Sequence, residues 1–365
     1  MGDIRNNKPR RLVPEEAIAS PDNSRRFQPV IKTTPALPPV NWGAIGQAAP
    51  TLLNTSSGEL PNADVVVLAW TDAEWAAMEH VFCSSASSMT YASRNQSSWV
   101  GWQKYTVALP SVKDFPYWGE YRLIQMGARK VMLFKSETHL DFPGKQYLTQ
   151  LIGRIISNAG PKLIISTGTA GGARPTDHIG TVNVFSAATL YVAKQPQSAW
   201  PSYTNSWQPN WSLLSNSGFG RLLFPVPTTM SDLQAICTQF NTFWKLNCTL
   251  SQLNPADVNM ADTQPKINNM ASTGTPLLTT GSFVVGTDAG NLKTFGCVEM
   301  DDAIIAEICA AQKISYGSVR NISDPVQNSA LPEQTQGHWG QAIYDAYGFY
   351  TSYNGAIATW AILNG

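Results

Sequence analysis

Hydrophobic and polar positions fall along the chain in blocks that predict strands and helices in turn. Val65 to Trp70 is a continuous apolar run, as expected of a strand that is buried on both faces. After Thr71 a helical pattern begins, in which Trp75, Met78 and Phe82 share one side.

The same two patterns recur through the rest of the chain. Further strands are predicted at 99–108, 121–126, 131–135, 163–165, 182–185, 282–285 and 316–322. Helices are predicted from Gly144 to Gly160, over 231–245, from Asp301, and from about Gly337 with a break near Gly355. Strands that alternate with helices indicate an α/β fold with a mostly parallel or mixed sheet.

Two stretches depart from this alternation. Residues 1–61 are rich in Pro and Arg and lack hydrophobic periodicity, which predicts an extended N-terminal arm. The stretch 190–279 is dense in Trp, Asn, Pro and Ser and is only weakly periodic, which is typical of long loops. The chain is therefore expected to form one domain over 62–365, with a loop-rich insertion at about 190–279.

Composition narrows the class of partner. The 365 residues include 25 Lys and Arg against 25 Asp and Glu, so the net charge is zero and a nucleic-acid partner is not expected. The first residues contain no apolar segment of a secretory signal, and the longest aliphatic run is far too short to span a membrane. Five cysteines without a C-x-x-C pair fit free thiols in a reducing compartment, so we expect a cytoplasmic protein.

Four polar motifs follow predicted strands, where ligands of α/β sheets gather. They are Thr71–Glu74, Gly168–Gly172, Glu299–Asp302 and Ser323-Asp324. Carboxyl groups at such a place can take a proton from water or give one to a leaving group. Acidic residues set among apolar neighbours, as in the third motif, suit a pocket that grips a diol.

Each motif also has a purely structural interpretation. Thr71-x-x-Glu74 has the form of a helix capping box, and Ser323-Asp324-Pro325 that of a helix start. Acidic residues at 299–302 favour a helix N-terminus, and a glycine loop alone marks only a tight turn. The four histidines occur singly and are predicted to be structural or surface residues.

Together the motifs resemble the nucleoside phosphorylase/nucleosidase superfamily, and most closely the methylthioadenosine/S-adenosylhomocysteine nucleosidases. The similar segments are 66–74, 164–172, 298–301 and 320–324, within a likeness that covers about 64–186 and 280–330. The resemblance implies a three-layer fold with a central mixed twisted sheet flanked by helices. It also implies a homo-oligomer, dimeric or trimer-based, that needs no cofactor and no metal.

The resemblance implies two catalytic residues: Asp324, which would protonate the leaving purine at N7, and Glu74, which would activate water. The implied substrate-binding residues are Ser323, holding Asp324; Glu299, beside ribose and water; Met300 and Asp301, on the ribose; Phe283 and the backbone of Val284, on the base; and Thr169 with Gly168, near the nucleophile.

Three features depart from the family pattern: Asp301 in place of Glu, Asp302 in place of a small residue, and Ser136–Asp141 in place of a Gly-rich segment.

The nucleophile can be water or phosphate. Phosphorylases similar to this family usually carry an Arg before the central glycine loop, where this chain has Ser166, and a Gly/Arg loop where it has Trp70–Asp72. The chain lacks the basic residues that phosphorylases carry at these two places, and it has Glu74 to activate water, so hydrolysis is favoured. Arg174 and Lys135 are other basic residues that could bind phosphate instead. The sequence thus predicts a purine nucleoside N-ribohydrolase for an adenosine-type nucleoside. A phosphorylase and a nucleoside-binding or storage protein without turnover are the alternatives.

Overall fold

The computed structural model describes residues 27, 29–96, 98–113, 115–140, 143–174, 176–216, 218–254, 261, 264–281, 292–325 and 331–364, with only the backbone of Glu333 and Gln334. Within these residues thirteen strands form one sheet. The strands are β1 (Thr51–Leu52), β2 (Val65–Ala69), β3 (Gln103–Tyr105), β4 (Gly119–Met126), β5 (Arg129–Ser136), β6 (Leu163–Gly172), β7 (Val182–Phe185), β8 (Ala187–Leu190), β9 (Ser202–Thr204), β10 (Ile267–Asn269), β11 (Leu277–Thr279), β12 (Val298–Glu299) and β13 (Ser315–Pro325).

The α-helices of the described residues are α1 (Asp72–Met78), α2 (Lys145–Ala159), α3 (Met230–Trp244), α4 (Leu250–Leu253), α5 (Met270–Thr273), α6 (Asp302–Gln312) and α7 (Glu333–Asn364). A π-helical turn, Glu79–Cys83, extends α1. Short 3₁₀ turns lie at Trp42–Ile45, Tyr91–Arg94, Gln197–Ala199, Phe219–Leu222 and Leu292–Thr294. In the described part of the chain, no helix combines the length and apolar character needed to cross a membrane.

The sheet is mixed, as predicted. Strand β2 pairs in parallel with β5 on one side and β6 on the other, and β6 pairs in parallel with β13 along its length. Strand β4 runs antiparallel to β5, and β12 runs antiparallel to the end of β6. The carboxyl ends of β2, β5, β6 and β13 therefore meet at one edge of the sheet.

Helices cover both faces of the sheet. Val65 and Val67 point into a core shared with α1, α3 and α7, while Val66 and Leu68 point into a core shared with α2 and α6. Alternate residues of a strand face opposite sides, so an unbroken apolar run is what a doubly covered strand requires. The predicted three-layer α/β fold is confirmed.

Several predicted elements need correction. The strand predicted at 99–108 is only Gln103–Tyr105, and the glycines at 168–172 form the end of strand β6 and not a loop. The last helix is continuous through Gly355, without the predicted break. The helix predicted at 231–245 is confirmed as α3, whereas the strand predicted at 282–285 lies outside the described residues.

The N-terminal segment 29–61 is anchored to the sheet and its helices. Leu37 forms a bridge with Met89, and the ring of Trp42 stacks on Trp360 at 4.0 Å between centroids. Strand β1 adds to the sheet edge beside β4. The segment contributes buried side chains to the core, whereas the extended arm over 1–61 stays a prediction. The domain boundary at residue 61 stays a prediction.

The five cysteines are free thiols in the structure. Cys237, Cys297 and Cys309 are buried, and burial raises the pKa of Cys309 to about 12. Buried thiols of high pKa are poor nucleophiles, so these side chains act as core residues.

Candidate active site

Glu74 accepts hydrogen bonds both from the N-terminus of helix α1 and from the end of strand β6. Its Oε2 accepts hydrogen bonds from the backbone N–H groups of Trp70 and Thr71, at 2.7 and 2.8 Å, which completes the predicted capping box. Its Oε1 accepts from both the backbone N–H and the hydroxyl of Thr169, each at 2.7 Å. The cap therefore fixes the carboxylate and directs one oxygen at the end of β6.

Gly168 makes room for two charged groups above β6. A Cβ at this position would lie 2.7 Å from Nη1 of Arg320 and 2.8 Å from Oε1 of Glu74. Both distances are shorter than any real Cβ contact, so only glycine allows the guanidinium and the carboxylate to meet here. The glycine is thus a requirement of the close approach of side chains and not of a turn.

Arg320 is a buried cation to which the sequence assigned no role. Its Nε donates to Oδ2 of Asp302 at 2.8 Å, and its Nη2 donates to Ser166 Oγ at 2.6 Å and to Glu299 Oε2 at 3.1 Å. Burial alone would lower the pKa of Arg320, but the charges of Asp302 and Glu299 raise it well above its usual value. The available signal in the sequence was a basic residue between Val319 and Ile322, within a strand predicted to be buried.

Glu299 collects hydrogen bonds from several donors. Its carboxylate accepts from the backbone N–H of Asp301 at 2.7 Å, from that of Asp302 at 3.1 Å, and from the hydroxyl of Thr279. Burial and the neighbouring charge of Asp302 raise the pKa of Glu299 to about 8, against the opposing effect of Arg320. Glu299 is therefore built into the wall of the site by the turn between β12 and α6.

Asp301 faces the loop that follows β5. Its Oδ2 lies 2.7 Å from Nδ1 of His139, and its Oδ1 accepts from the backbone N–H of Leu140 at 2.9 Å. Although Asp301 is the N-cap of α6, its side chain makes no capping hydrogen bond. His139 is a neighbour that sequence reasoning missed. Met300 is half-buried between the two acidic residues.

Asp324 lies near the end of β13, after an irregularity in its register with β6. It belongs to the strand, so the interpretation as a helix cap is wrong. Ser323 donates a hydrogen bond from Oγ to Asp324 Oδ1 at 2.5 Å. Burial raises the pKa of Asp324 to about 7, and the bond from Ser323 only partly opposes it. This carboxyl group can therefore hold a proton near neutral pH.

Strand β6 brings the two acidic residues to one place. Thr169, which binds Glu74, is two residues from Gly171, which pairs with Asp324, and two strand residues span roughly 7 Å. Gly168, Thr169, Glu299, Asp301 and Ser323 lie around the same strand ends. Phe283 and Val284 lie outside the described residues, so their predicted contacts with the base stay predictions.

The two cations named as possible phosphate ligands are already engaged. The guanidinium of Arg174 donates to both carboxylate oxygens of the buried Asp177, and Lys135 is paired with Glu137. Among the residues that the structure describes, no cluster of three or more His, Cys, Asp or Glu side chains is arranged to hold a metal ion.

Comparison with known proteins identifies the family. The sequence profile of the phosphorylase superfamily matches residues 117–345, well over half of the chain, and the chain belongs to this superfamily. The family predicted from the motifs is thereby confirmed. No curated protein sequence matches the chain.

Solved structures of similar fold include nucleosidases of several bacteria. The 5′-methylthioadenosine/S-adenosylhomocysteine nucleosidase of Neisseria meningitidis, in complex with methylthio-immucillin-A, is 11% identical, with 82% of this chain and 98% of that chain covered and a TM-score of 0.47. The S-adenosylhomocysteine nucleosidase of Streptococcus pyogenes is 15% identical, covering 84% and 98%, also at 0.47. The futalosine hydrolase of Helicobacter pylori is 12% identical, covering 82% and 97%, at 0.42.

Proposed function

We propose that this protein is a nucleosidase, a purine nucleoside N-ribohydrolase that cleaves the N-glycosidic bond of an adenosine-type nucleoside with water. One observation carries the proposal: two carboxyl groups of different character, Glu74 and Asp324, flank the end of a single strand, β6. One is a carboxylate that receives several hydrogen bonds, and the other is a buried acid. Cleavage of a glycosidic bond needs such a pair, one to activate water and one to protonate the leaving group.

Asp324 is the general acid in this proposal. Its pKa, raised to about 7 by burial, leaves a substantial protonated fraction at neutral pH. A proton delivered to N7 of a purine neutralises the charge that develops on the base as the C1′–N9 bond breaks. Ser323, which donates to Oδ1, fixes the carboxyl group so that its other oxygen carries the proton.

Glu74 is the general base. Its Oε1 and Nη1 of Arg320 meet above Gly168, where a water molecule can give a proton to the carboxylate and accept a hydrogen bond from the guanidinium. The water oxygen bonds to C1′, one water proton passes to Glu74, the C1′–N9 electron pair leaves with the base, and the proton of Asp324 passes to N7. The products are free base and ribose, and solvent restores both protonation states.

The charge around the nucleophile favours water over phosphate. Arg320 stands among Asp302, Glu299 and Glu74, so acidic groups outnumber the cation. A phosphate dianion placed here meets net repulsion, whereas neutral water does not. The pairing of Arg174 with Asp177 removes one substitute cation, and a phosphorylase is therefore the weaker alternative.

The test is release of free base by purified protein from a panel of nucleosides, in phosphate-free buffer and with added phosphate. We expect turnover without phosphate that is abolished in Asp324→Asn and reduced about 10²–10⁴-fold in Glu74→Gln. Glu79→Gln, at a buried carboxylate bound by Ser84 and Trp102 away from the strand ends, is the matched control and should retain activity. Strict dependence on phosphate would assign the protein to the phosphorylases.

A nucleoside-binding protein without turnover is the second candidate. It is favoured by Asp301, whose two oxygens are bound by His139 and by the backbone of Leu140. Calorimetry separates the two proposals, since binding of a nucleoside with no base released over hours would support the second and turnover would eliminate it.

A further inference from the structure

Asp302 is a buried acidic residue that the proposed reaction does not use. Its side chain is fully buried, and Oδ2 accepts hydrogen bonds from Arg320 Nε at 2.8 Å and from Ser318 Oγ at 2.5 Å. Placing a carboxylate in the interior is costly unless a cation pairs with it. The sequence also singles out Asp302, because proteins that resemble this one usually have a small residue there.

The pair with Asp302 determines where the guanidinium of Arg320 points. Nε is held by Asp302, and Nη2 is held by Glu299, at 3.1 Å. With two corners of the planar group fixed, the third, Nη1, is directed over Gly168 beside Glu74. Because a guanidinium is rigid, an anchor on Nε sets the position of Nη1.

The same pair determines the charge that a nucleophile meets. Without Asp302, the Arg320 guanidinium would keep its hydrogen bond to Glu299 but lose the one to Asp302, and a nucleophile would meet one negative charge fewer. Arginine without a full set of counter-ions is the side chain best suited to bind phosphate. Asp302 therefore disfavours phosphate binding by Arg320, and it does so from the Nε side of the guanidinium, away from the proposed water position beside Nη1.

We propose that Asp302 is a positioning residue that selects the nucleophile: it aims Nη1 of Arg320 at the attacking water and cancels the charge that would otherwise bind inorganic phosphate. This inference rests on the proposed hydrolase function. When water is the nucleophile, its oxygen bonds to C1′ and one of its protons passes to Glu74. Inorganic phosphate as nucleophile would instead form a bond from its own oxygen to C1′ and yield a sugar 1-phosphate.

Asp302→Asn tests the charge while preserving the shape of the side chain. We expect hydrolysis to slow, and inorganic phosphate to become a competitive inhibitor, or a second nucleophile, at a concentration about tenfold or more below that which affects the wild type. Phosphate should also protect the variant, but not the wild type, against thermal unfolding. Glu79→Gln, which removes a buried carboxylate charge bound by Ser84 and Trp102, is the control and should leave the phosphate response unchanged.

Ser318→Ala tests the positioning separately, because it removes the second hydrogen bond on Oδ2 but keeps the charge. We expect a several-fold lower kcat with KM unchanged and no gain in phosphate sensitivity. This variant also decides the case if Asp302→Asn does not fold, since wild-type kcat in Ser318→Ala would then overturn the proposal. An Asp302→Asn protein that folds and ignores phosphate would overturn it too. Wild-type protein that releases no base in phosphate-free buffer would instead refute the proposed function.

Discussion

Asp324 is the residue through which the proposed reaction would depend on pH. Burial raises its pKa to about 7 in the folded protein. If it acts as the general acid, kcat/KM should fall about tenfold per pH unit above that value, because the protonated form disappears. A rate measured from pH 6 to 9 that stays flat would remove Asp324 from this role.

The raised pKa of Asp324 also lowers the stability of the folded protein at neutral and alkaline pH. Its folded pKa of about 7 exceeds the ordinary value of 3.8, so the folded state binds the proton more tightly than the unfolded state. Stability is therefore greatest below pH 4 for this group and declines as pH rises towards 7, by up to about 4 kcal/mol. Asp324→Asn should gain stability relative to the wild type at pH 8 and not at pH 4. Denaturant unfolding of both proteins at the two pH values measures this difference.

Gly168 supplies a prediction on the nucleophile side. In Gly168→Ala, the new methyl group would displace Nη1 of Arg320 or Oε1 of Glu74, which lie 2.7 and 2.8 Å from its position. We expect a loss of about 1–3 kcal/mol in stability and a large fall in kcat with nucleoside affinity retained. The kinetics should be measured at a temperature at which the variant is folded, and an unchanged kcat would contradict the prediction.

Elements with local signals were predictable from the sequence, and elements set by distant contacts were not. A continuous apolar run predicts strand β2, and a regular apolar stripe predicts helix α2. The glycines at the end of β6 have low strand propensity, yet they extend the strand because β13 pairs with it as far as Gly172. Nothing between residues 163 and 172 contains that information.

Helix α7 shows the same effect at Gly355. A Cβ there would lie 2.5 Å from the side-chain amide of Asn321, so the glycine lets strand and helix approach closely and does not break the helix. Gly355→Ala should therefore destabilise the protein by about 1–3 kcal/mol.

Gly153 offers the control for that change. It lies exposed in α2, with open space where a Cβ would be, and Gly153→Ala should stabilise the protein by about 0.5–1 kcal/mol. Thermal melts of the two variants should shift in opposite directions, and a shift of the same sign in both would contradict the packing argument.

At the scale of the whole molecule, the site follows from the order of strands in the sheet. Because polar residues at the ends of parallel strands meet at one edge, the grouping of Glu74 and Asp324 was foreseeable. Glu299 reaches the same edge from β12, which runs antiparallel to β6. Arg320 was not foreseeable, because its role depends on Asp302 and Glu299, which reach it from another part of the chain. The same applies to His139, whose contact with Asp301 joins loops 162 residues apart.

The number of subunits is also a property of the whole molecule, and the resemblance to nucleosidases predicts a homo-oligomer. Light scattering at working concentration should give a mass of at least twice that of the chain. A monomer would contradict the prediction.

Helix α7 also has a consequence for how the protein is made. It packs on β6, β13 and α1, and its residues are almost all buried, yet it is synthesised after every strand that it covers. While the ribosome is still translating it, the side of the sheet that α7 shares with α1 and α3 lacks part of its cover and presents apolar side chains to water or to chaperones. Glu74 and Asp324 therefore acquire their final surroundings only after this helix has left the exit tunnel.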